Sequence, residues 1–249
     1  MQNFIKLLLI TLLVSSCQAP NSKTLVIGHR GARGHVAENT LASISKAIEL
    51  GVDGVEIDVF RCATGELVVF HDKTLDALTN GTGYIEKMSL DSIKQFLVLG
   101  KELIPTLNEV MDLIDGTIQL NIELKGTQTA VLTSELIEHY FETSTWESKN
   151  VFISSFDWNE LDQFYNVNPK VAIAVLTEDD PIDAIPVAKR LAAFAINPDF
   201  KSLTEANVEK MHEAGFKVYP WTVNEPEDIE RMIAIGVDAL ITDFPERIR

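Results

Sequence analysis

Cysteine is almost missing from this chain. Its 249 residues contain two, Cys17 and Cys62. With Cys17 read as the lipidated first residue of a tether, Cys62 has no partner for an internal disulfide, and stability must come from a packed core. A chain of this length can bury one. Basic residues are also scarce: 21 Lys and Arg stand against 37 Asp and Glu, a formal net charge of -16. That balance argues against a nucleic-acid partner, whose phosphates need compensating Lys and Arg. It leaves room for a small anionic substrate, because a bound divalent cation inverts the local field. No G-x-S-x-G nucleophile turn, P-loop or G-x-G-x-x-G turn occurs, so three common kinds of site are excluded. Tandem repeats and low-complexity tracts are absent as well.

The N-terminal apolar run, Leu7 to Val14, is too short for an ordinary spanning helix. Lys6 precedes it and Ser15-Ser16-Cys17 follows. A charged start, an apolar centre and a small-residue end make a secretory leader. Val14-Ser-Ser-Cys17 also resembles a bacterial lipobox, which implies cleavage before Cys17 and lipidation of that residue; a plain leader with an incidental cysteine is the alternative. The expected organisation is a leader at 1–16, a lipid-anchored tether at 17–23 and a folded region at 24–249. Such a protein is exported, held at a bacterial membrane and faces the periplasm.

What the chain does have is alternation. Strand-like and helix-like runs follow one another from Val26 to the C-terminus. Leu41, Ile44 and Ile48 recur at helical spacing, with Asn39 as the expected N-cap and Gly51 as the stop. Thr106-Leu-Asn-Glu109 is a capping box. Helices are expected over Asp157–Tyr165, Ile182–Leu191, Thr204–Ala214 and Pro226–Ile235, and strands at Val151–Ser154, Val171–Val175, Ala193–Ile196, Lys217–Trp221 and Ala239–Thr242. Eight strands alternating with helices predict an α/β fold, a (β/α)8 TIM barrel, with a doubly wound open sheet as runner-up. Lys73 to Ile104 breaks the rhythm, with turn signals at Asn80-Gly81 and Gly83. It reads as a small insertion after strand two, on the catalytic face.

The chemistry gathers at strand ends. Side chains alternate along a strand, so Glu56 and Asp58 share one face while Val55, Ile57 and Val59 take the other. Asn121, Glu123 and Lys125 likewise share a face opposite Ile122 and Leu124. Burying two carboxylates on one strand costs several kcal/mol unless they are paired or bind a metal. Glu56, Asp58 and Glu123 are hard oxygen ligands that suit one divalent cation, Mg²⁺ or Ca²⁺; pairing with Arg30 or Lys125 is the alternative. His29 and His71 each follow a strand-like run and can serve as general acid and base. Arg30 and Lys125 can contact phosphoryl oxygens. His35, in the first loop, is a weaker candidate. His139 and His212 fall in helices facing solvent, and Cys62 reads as a small packed residue.

These residues fall in ordered motifs: His29-Arg-Gly-Ala, Glu38-Asn-Thr40, Gly54-Val-Glu-Ile-Asp58-Val, Val68-Val-Phe-His71-Asp72, Asn121-Ile-Glu-Leu-Lys125, Ser155-Phe156, Trp221-Thr-Val-Asn224 and Gly236 to Asp243. In that order they resemble the glycerophosphodiester phosphodiesterases, over nearly everything after the tether. The resemblance implies a barrel that hydrolyses glycerophosphodiesters to glycerol 3-phosphate and an alcohol. It implies that Glu56, Asp58 and Glu123 hold the metal, that His29 and His71 act as base and acid, and that Arg30 and Lys125 bind phosphate. Trp221 is then an apolar wall against the glycerol carbons. Ala37 replaces the usual proline before Glu-Asn-Thr, Ala77 and Leu78 depart from the usual insertion, and Cys62-Ala-Thr-Gly65 replaces the usual turn. None of these removes an implied catalytic group, but they leave the alcohol side open. A lysophospholipase D acting on one-chain lipids and a non-catalytic lipoprotein that binds glycerol phosphate groups are the competing readings.

Overall fold

A computed structural model describes residues 23–248. The leader, Cys17 and the tether up to residue 22 lie outside them. The first unit is β1 (Leu25–His29) and α1 (Leu41–Glu49). Then come β2 (Gly54–Arg61) and the short β3 (Leu67–Val69), which turns back antiparallel on β2. A 3₁₀ turn, α2 (Leu90–Ile93) and the antiparallel pair β4 (Leu97–Val98) and β5 (Glu102–Leu103) occupy the interrupting segment. Regular alternation resumes with α3 (Leu107–Ile114), β6 (Gln119–Leu124), α4 (Ala130–Thr143), β7 (Val151–Ser155) and α5 (Trp158–Val167). It continues through β8 (Ala172–Thr177), α6 (Ile185–Arg190), β9 (Ala195–Pro198) and α7 (Glu205–Glu213). The series ends with β10 (Lys217–Val218), α8 (Pro226–Ala234) and β11 (Ala239–Thr242).

Eight of these strands run parallel in the order β10-β9-β8-β7-β6-β2-β1-β11. The two ends meet through backbone bonds: Asp238 N–H donates to Val218 O and Ile241 N–H to Pro220 O, both at 3.0 Å. The sheet therefore closes into the expected (β/α)8 barrel, and the open-sheet alternative falls away. Val55, Ile57 and Val59 pack outward with Leu107, Val110 and Met111 of α3 in the principal core. Inside the barrel, Ile27, Phe152, Ala174, Tyr219 and Ile241 form a separate apolar floor. Phe152 and Tyr219 meet there edge to face, with centroids 6.1 Å apart.

Local chemistry explains most helix boundaries. Thr106 caps α3 through a full capping box with Glu109. Thr204 and Asp157 cap α7 and α5. Three expectations need correction. Thr40, not Asn39, caps α1; Asn39 instead takes φ 55°, a region Asn tolerates, and turns its side chain to Asp58. The helix expected over Ile182–Leu191 divides into a 3₁₀ turn at Pro181–Ala184 followed by α6, because Pro186 has no N–H for an unbroken helix. The strand expected over Lys217–Trp221 is regular only at Lys217–Val218, because Pro220 cannot donate to the ladder. Tyr219 N–H and Trp221 N–H still bond to β9, at Ile196 O and Pro198 O.

The segment between β3 and α3 has an apolar cluster of its own. Leu75, Ile85, Ile93, Val98 and Ile104 pack with Phe60 and Phe70. Cys62 is buried in the same cluster as a free thiol. No helix among the described residues is long and apolar enough to cross a membrane.

Candidate active site

Register brings the charged residues together. On adjacent strands Glu56 pairs with His29 on one side and Asn121 on the other, and Asp58 pairs with Glu123. All point inward, as their period-two spacing requires. The three carboxylates are almost fully enclosed, with Glu56, Asp58 and Glu123 exposed by 4%, 1% and 7%. One oxygen from each lies within 4.8 Å of the others.

Arg30 and Lys125 do pair with these acids, so the ion-pair alternative is partly realised. Arg30 Nη1 donates to Glu38 Oε1 at 2.6 Å, and its Nε lies 3.3 Å from Asp58 Oδ2. Its backbone N–H donates to Glu56 Oε2 at 3.0 Å. Arg30 makes that contact at φ 51°, a left-handed conformation costing about 1–2 kcal/mol in a residue with a Cβ. Strain of this kind persists where surrounding structure over-determines it. Lys125 Nζ donates to Glu123 Oε1 at 3.1 Å and lies 3.7 Å from Asp58 Oδ1. Asn39 donates to Asp58 Oδ2 at 2.8 Å and accepts the Asp58 N–H at 3.3 Å.

These pairs do not satisfy the cluster. Glu56 Oε1 and Asp58 Oδ1 are buried with no hydrogen-bond partner, an arrangement that ordinarily costs more than a lost hydrogen bond. Burial, then the charges of Asp58 and Glu123, push the Glu56 carboxyl well above its usual range. Burial and Asp58 lift Glu123 to about 7, against the pull of Lys125. Burial also works against Asp58, but Arg30 and Lys125 outweigh it and hold that carboxyl low. Three oxygen donors, two of them orphaned atoms, fit a hard divalent cation. The donor set could hold one.

Each histidine is oriented by an aspartate. His29 Nδ1 lies 2.7 Å from Asp243 Oδ1, and Asp243 Oδ2 accepts from Asn224 Nδ2 at 2.8 Å. His71 Nδ1 lies 2.7 Å from Asp72 Oδ1. With the δ nitrogen so engaged, the ε nitrogen is left for chemistry. His29 Nε2 points to the carboxylate cluster, 3.9 Å from Glu56 Oε2. Burial lowers the pKa of both rings, opposed by Asp243 at His29 and by Asp58 at His71.

His29, Arg30, Glu56, His71, Glu123 and Lys125 line one cavity of about 100 Å³, with Asp58 beneath it. Trp221 also lines it, fixed by a bond from Nε1 to Asn197 O at 2.9 Å and packed edge to face on Phe156. The structure thus assembles all eight expected barrel residues, while Cys17 lies outside the described part. It leaves His35 away from the centre, paired with Glu246 at 2.9 Å. His139 and His212 are exposed, as expected, and His212 meets Asp238.

Sequence reasoning named no site role for Asp243 or Asp72 and read Asn39 only as a helix cap. Asp72 had a signal, adjacency to His71. Asp243 had a weaker one: it follows β11 with the same parity as the inward Ile241. Asn39 had none beyond its place before a helix, since its contact with Asp58 depends on the loop's path.

Comparison with known proteins agrees with this geometry. Residues 29–247 match the model of the glycerophosphoryl diester phosphodiesterase family. A glycerophosphodiester phosphodiesterase of Caldanaerobacter subterraneus is 38% identical over 241 residues, covering 91% of this chain and 96% of the relative. A phosphodiesterase of Oleispira antarctica, solved in complex with its product sn-glycerol-3-phosphate, superposes with TM-score 0.81 at 30% identity, covering 90% of this chain and 94% of that one. A Silicibacter pomeroyi structure described as a glycerophosphoryl diester phosphodiesterase gives TM-score 0.79 at 27% identity, covering 91% and 92%. The chain belongs to the glycerophosphoryl diester phosphodiesterase family.

Proposed function

We propose that this protein hydrolyses glycerophosphodiesters to glycerol 3-phosphate and an alcohol, with a divalent cation held by Glu56, Asp58 and Glu123. The observation that carries this reading is the inward carboxylate triad, with orphaned oxygens on Glu56 and Asp58, beneath two cations and between two histidines. Once bound, the cation would polarise the phosphodiester and make an attacking hydroxyl more acidic. Arg30 offers a planar fork and Lys125 a point charge to the phosphoryl oxygens.

The proton steps fall to the histidines. His29 Nε2, held by Asp243 through the opposite nitrogen, removes the proton from the glycerol 2-hydroxyl. That oxygen attacks phosphorus while the bond to the alcohol breaks. His71 Nε2 delivers a proton to the departing oxygen. Water then opens the cyclic phosphate with the two roles exchanged. His29 is assigned as base because it lines the small inner cavity and not the larger groove outside it, which His71 borders as well. Each proton transfer is worth roughly 10²–10⁴ in rate. Trp221 and Ile241 supply apolar wall for the glycerol carbons. Lipidation at Cys17 would place this hydrolysis at a bacterial membrane surface, and the mass of the mature N-terminus tests it.

Turnover of glycerophosphocholine should need added Mg²⁺ or Ca²⁺, vanish with chelator and return when the ion is restored. Full turnover in excess chelator would refute the metal assignment. Full turnover by His71→Ala would refute the acid.

A further inference from the structure

Two cavities share His71, Glu123, Lys125 and Phe156. The inner one, about 100 Å³, has room for roughly three waters, which suits a three-carbon polyol. The outer one is about 390 Å³. It runs from His71 between the inserted segment and the loop after β7. Its floor includes Phe60 and Gly126. A Cβ at Gly126 would lie 2.7 Å from Phe60 Cδ1 and 3.1 Å from Glu86 Oε1, so no side chain fits there.

We infer that this outer groove receives the leaving alcohol and favours alcohols that carry a cationic nitrogen. The inference rests on the reaction proposed above, because it places the departing oxygen at His71. Carboxylates line the groove from both sides: Glu86 from the inserted segment and Asp157 from the loop after β7. Two lysines line it, Lys73 at the outer end and Lys125, whose charge is engaged with Glu123 and Asp58; Lys87 stands outside that lining, over the Tyr84 ring. Two exposed rings, Tyr84 and Phe156, complete the walls. Both already attract cations, with Lys87 Nζ 4.9 Å from the Tyr84 centroid and Lys125 Nζ 5.8 Å from that of Phe156. An alkylammonium that takes the place of either lysine on its ring gains the same attraction. Glu86 is also pre-positioned: its Oε1 accepts the Thr127 N–H at 3.2 Å and the Thr127 hydroxyl at 3.3 Å. Binding therefore does not have to order it.

The test compares glycerophosphocholine with glycerophosphoglycerol, whose alcohol is neutral, using the full chain and saturating Mg²⁺. Glu86→Gln keeps an oxygen for Thr127, and Asp157→Asn keeps one for the Asn159 N–H that now bonds at 2.9 Å. Each should raise KM for glycerophosphocholine roughly two- to fivefold, leaving kcat for both substrates and KM for glycerophosphoglycerol unchanged. Tyr84→Leu, at a site 54% exposed, should act on the choline substrate alone with an unchanged melting temperature. Equal shifts on the two substrates, or no shift on either, would overturn the assignment. If the parent protein yields glycerol 3-phosphate from neither substrate, the underlying reaction is wrong and the groove assignment falls with it. If it yields glycerol 3-phosphate from both and the variants do not discriminate, only the groove assignment fails.

Discussion

Replacing Glu123 by Gln should stabilise the metal-free protein at pH 8. Burial and then the Asp58 charge raise the Glu123 carboxyl from an ordinary 4.5 to about 7. Folded Glu123 therefore holds its proton more tightly than the unfolded chain does. The stability contributed by that proton is complete below pH 4.5 and is lost as the pH rises to about 7. The difference corresponds to roughly 3 kcal/mol. Gln has no such proton to lose, and its oxygen can still accept from Lys125 Nζ, now 3.1 Å from Glu123 Oε1. For a domain of this size 1 kcal/mol moves Tm by about 2–4 °C. In chelator the variant should melt roughly 6–12 °C above the parent at pH 8, with little difference at pH 4.5. A divalent cation should then narrow or reverse the gap. At a hundred times its dissociation constant it adds about 2.7 kcal/mol to the parent, and far less to a variant lacking one ligand. Thermal unfolding at the two pH values, with chelator and with Mg²⁺, checks this. A variant less stable than the parent at pH 8 in chelator, or an equal Mg²⁺ shift in both proteins, would refute the reasoning.

Further outcomes follow from the same geometry. Asp243→Asn removes the charge that opposes burial at His29; kcat/KM should fall roughly 10–100-fold, and the acidic limb of its pH profile should move to lower pH. An unmoved limb would show that His29 is not the base. Asn39→Ala strips Asp58 of two hydrogen bonds, so stability in chelator should fall by about 1.5–3 kcal/mol, and calorimetry should show weaker Mg²⁺ binding. Gly28→Ala would bring a Cβ to 2.5 Å from Gly31 O; chemical denaturation should show a loss of about 1–3 kcal/mol, with activity reduced because His29 is the next residue.

What was legible in the sequence was set by short-range periodicity. The two-residue spacing of Glu56 and Asp58, and of Asn121, Glu123 and Lys125, predicted a shared inward face. The register Glu56–Asn121 and Asp58–Glu123 brings those faces together. Alternating strands and helices gave the barrel for the same reason, because each unit's pattern reflects its own burial. Closure was less legible. Pro220 interrupts β10, and the last seam is made by scattered backbone bonds to Val218 O, Pro220 O and Ile241 O. The histidine partners were harder still: Asp243 lies 214 residues from His29, and only the folded barrel makes them neighbours. Asn39 read as a helix cap because that is the commoner use of Asn before a helix. Thr40 takes the cap and frees Asn39 for Asp58. The outer groove was invisible in sequence, since Glu86 and Asp157 come from segments that meet only across the barrel mouth.

The most direct test of the central claim is which P–O bond breaks. Phosphorus NMR of a glycerophosphocholine digest, run with Mg²⁺ and the purified chain, reads it in one spectrum. The account predicts phosphorus appearing as glycerol 3-phosphate with Mg²⁺, and only unreacted substrate in excess chelator. Phosphocholine with free glycerol, or the same spectrum in excess chelator, would contradict it.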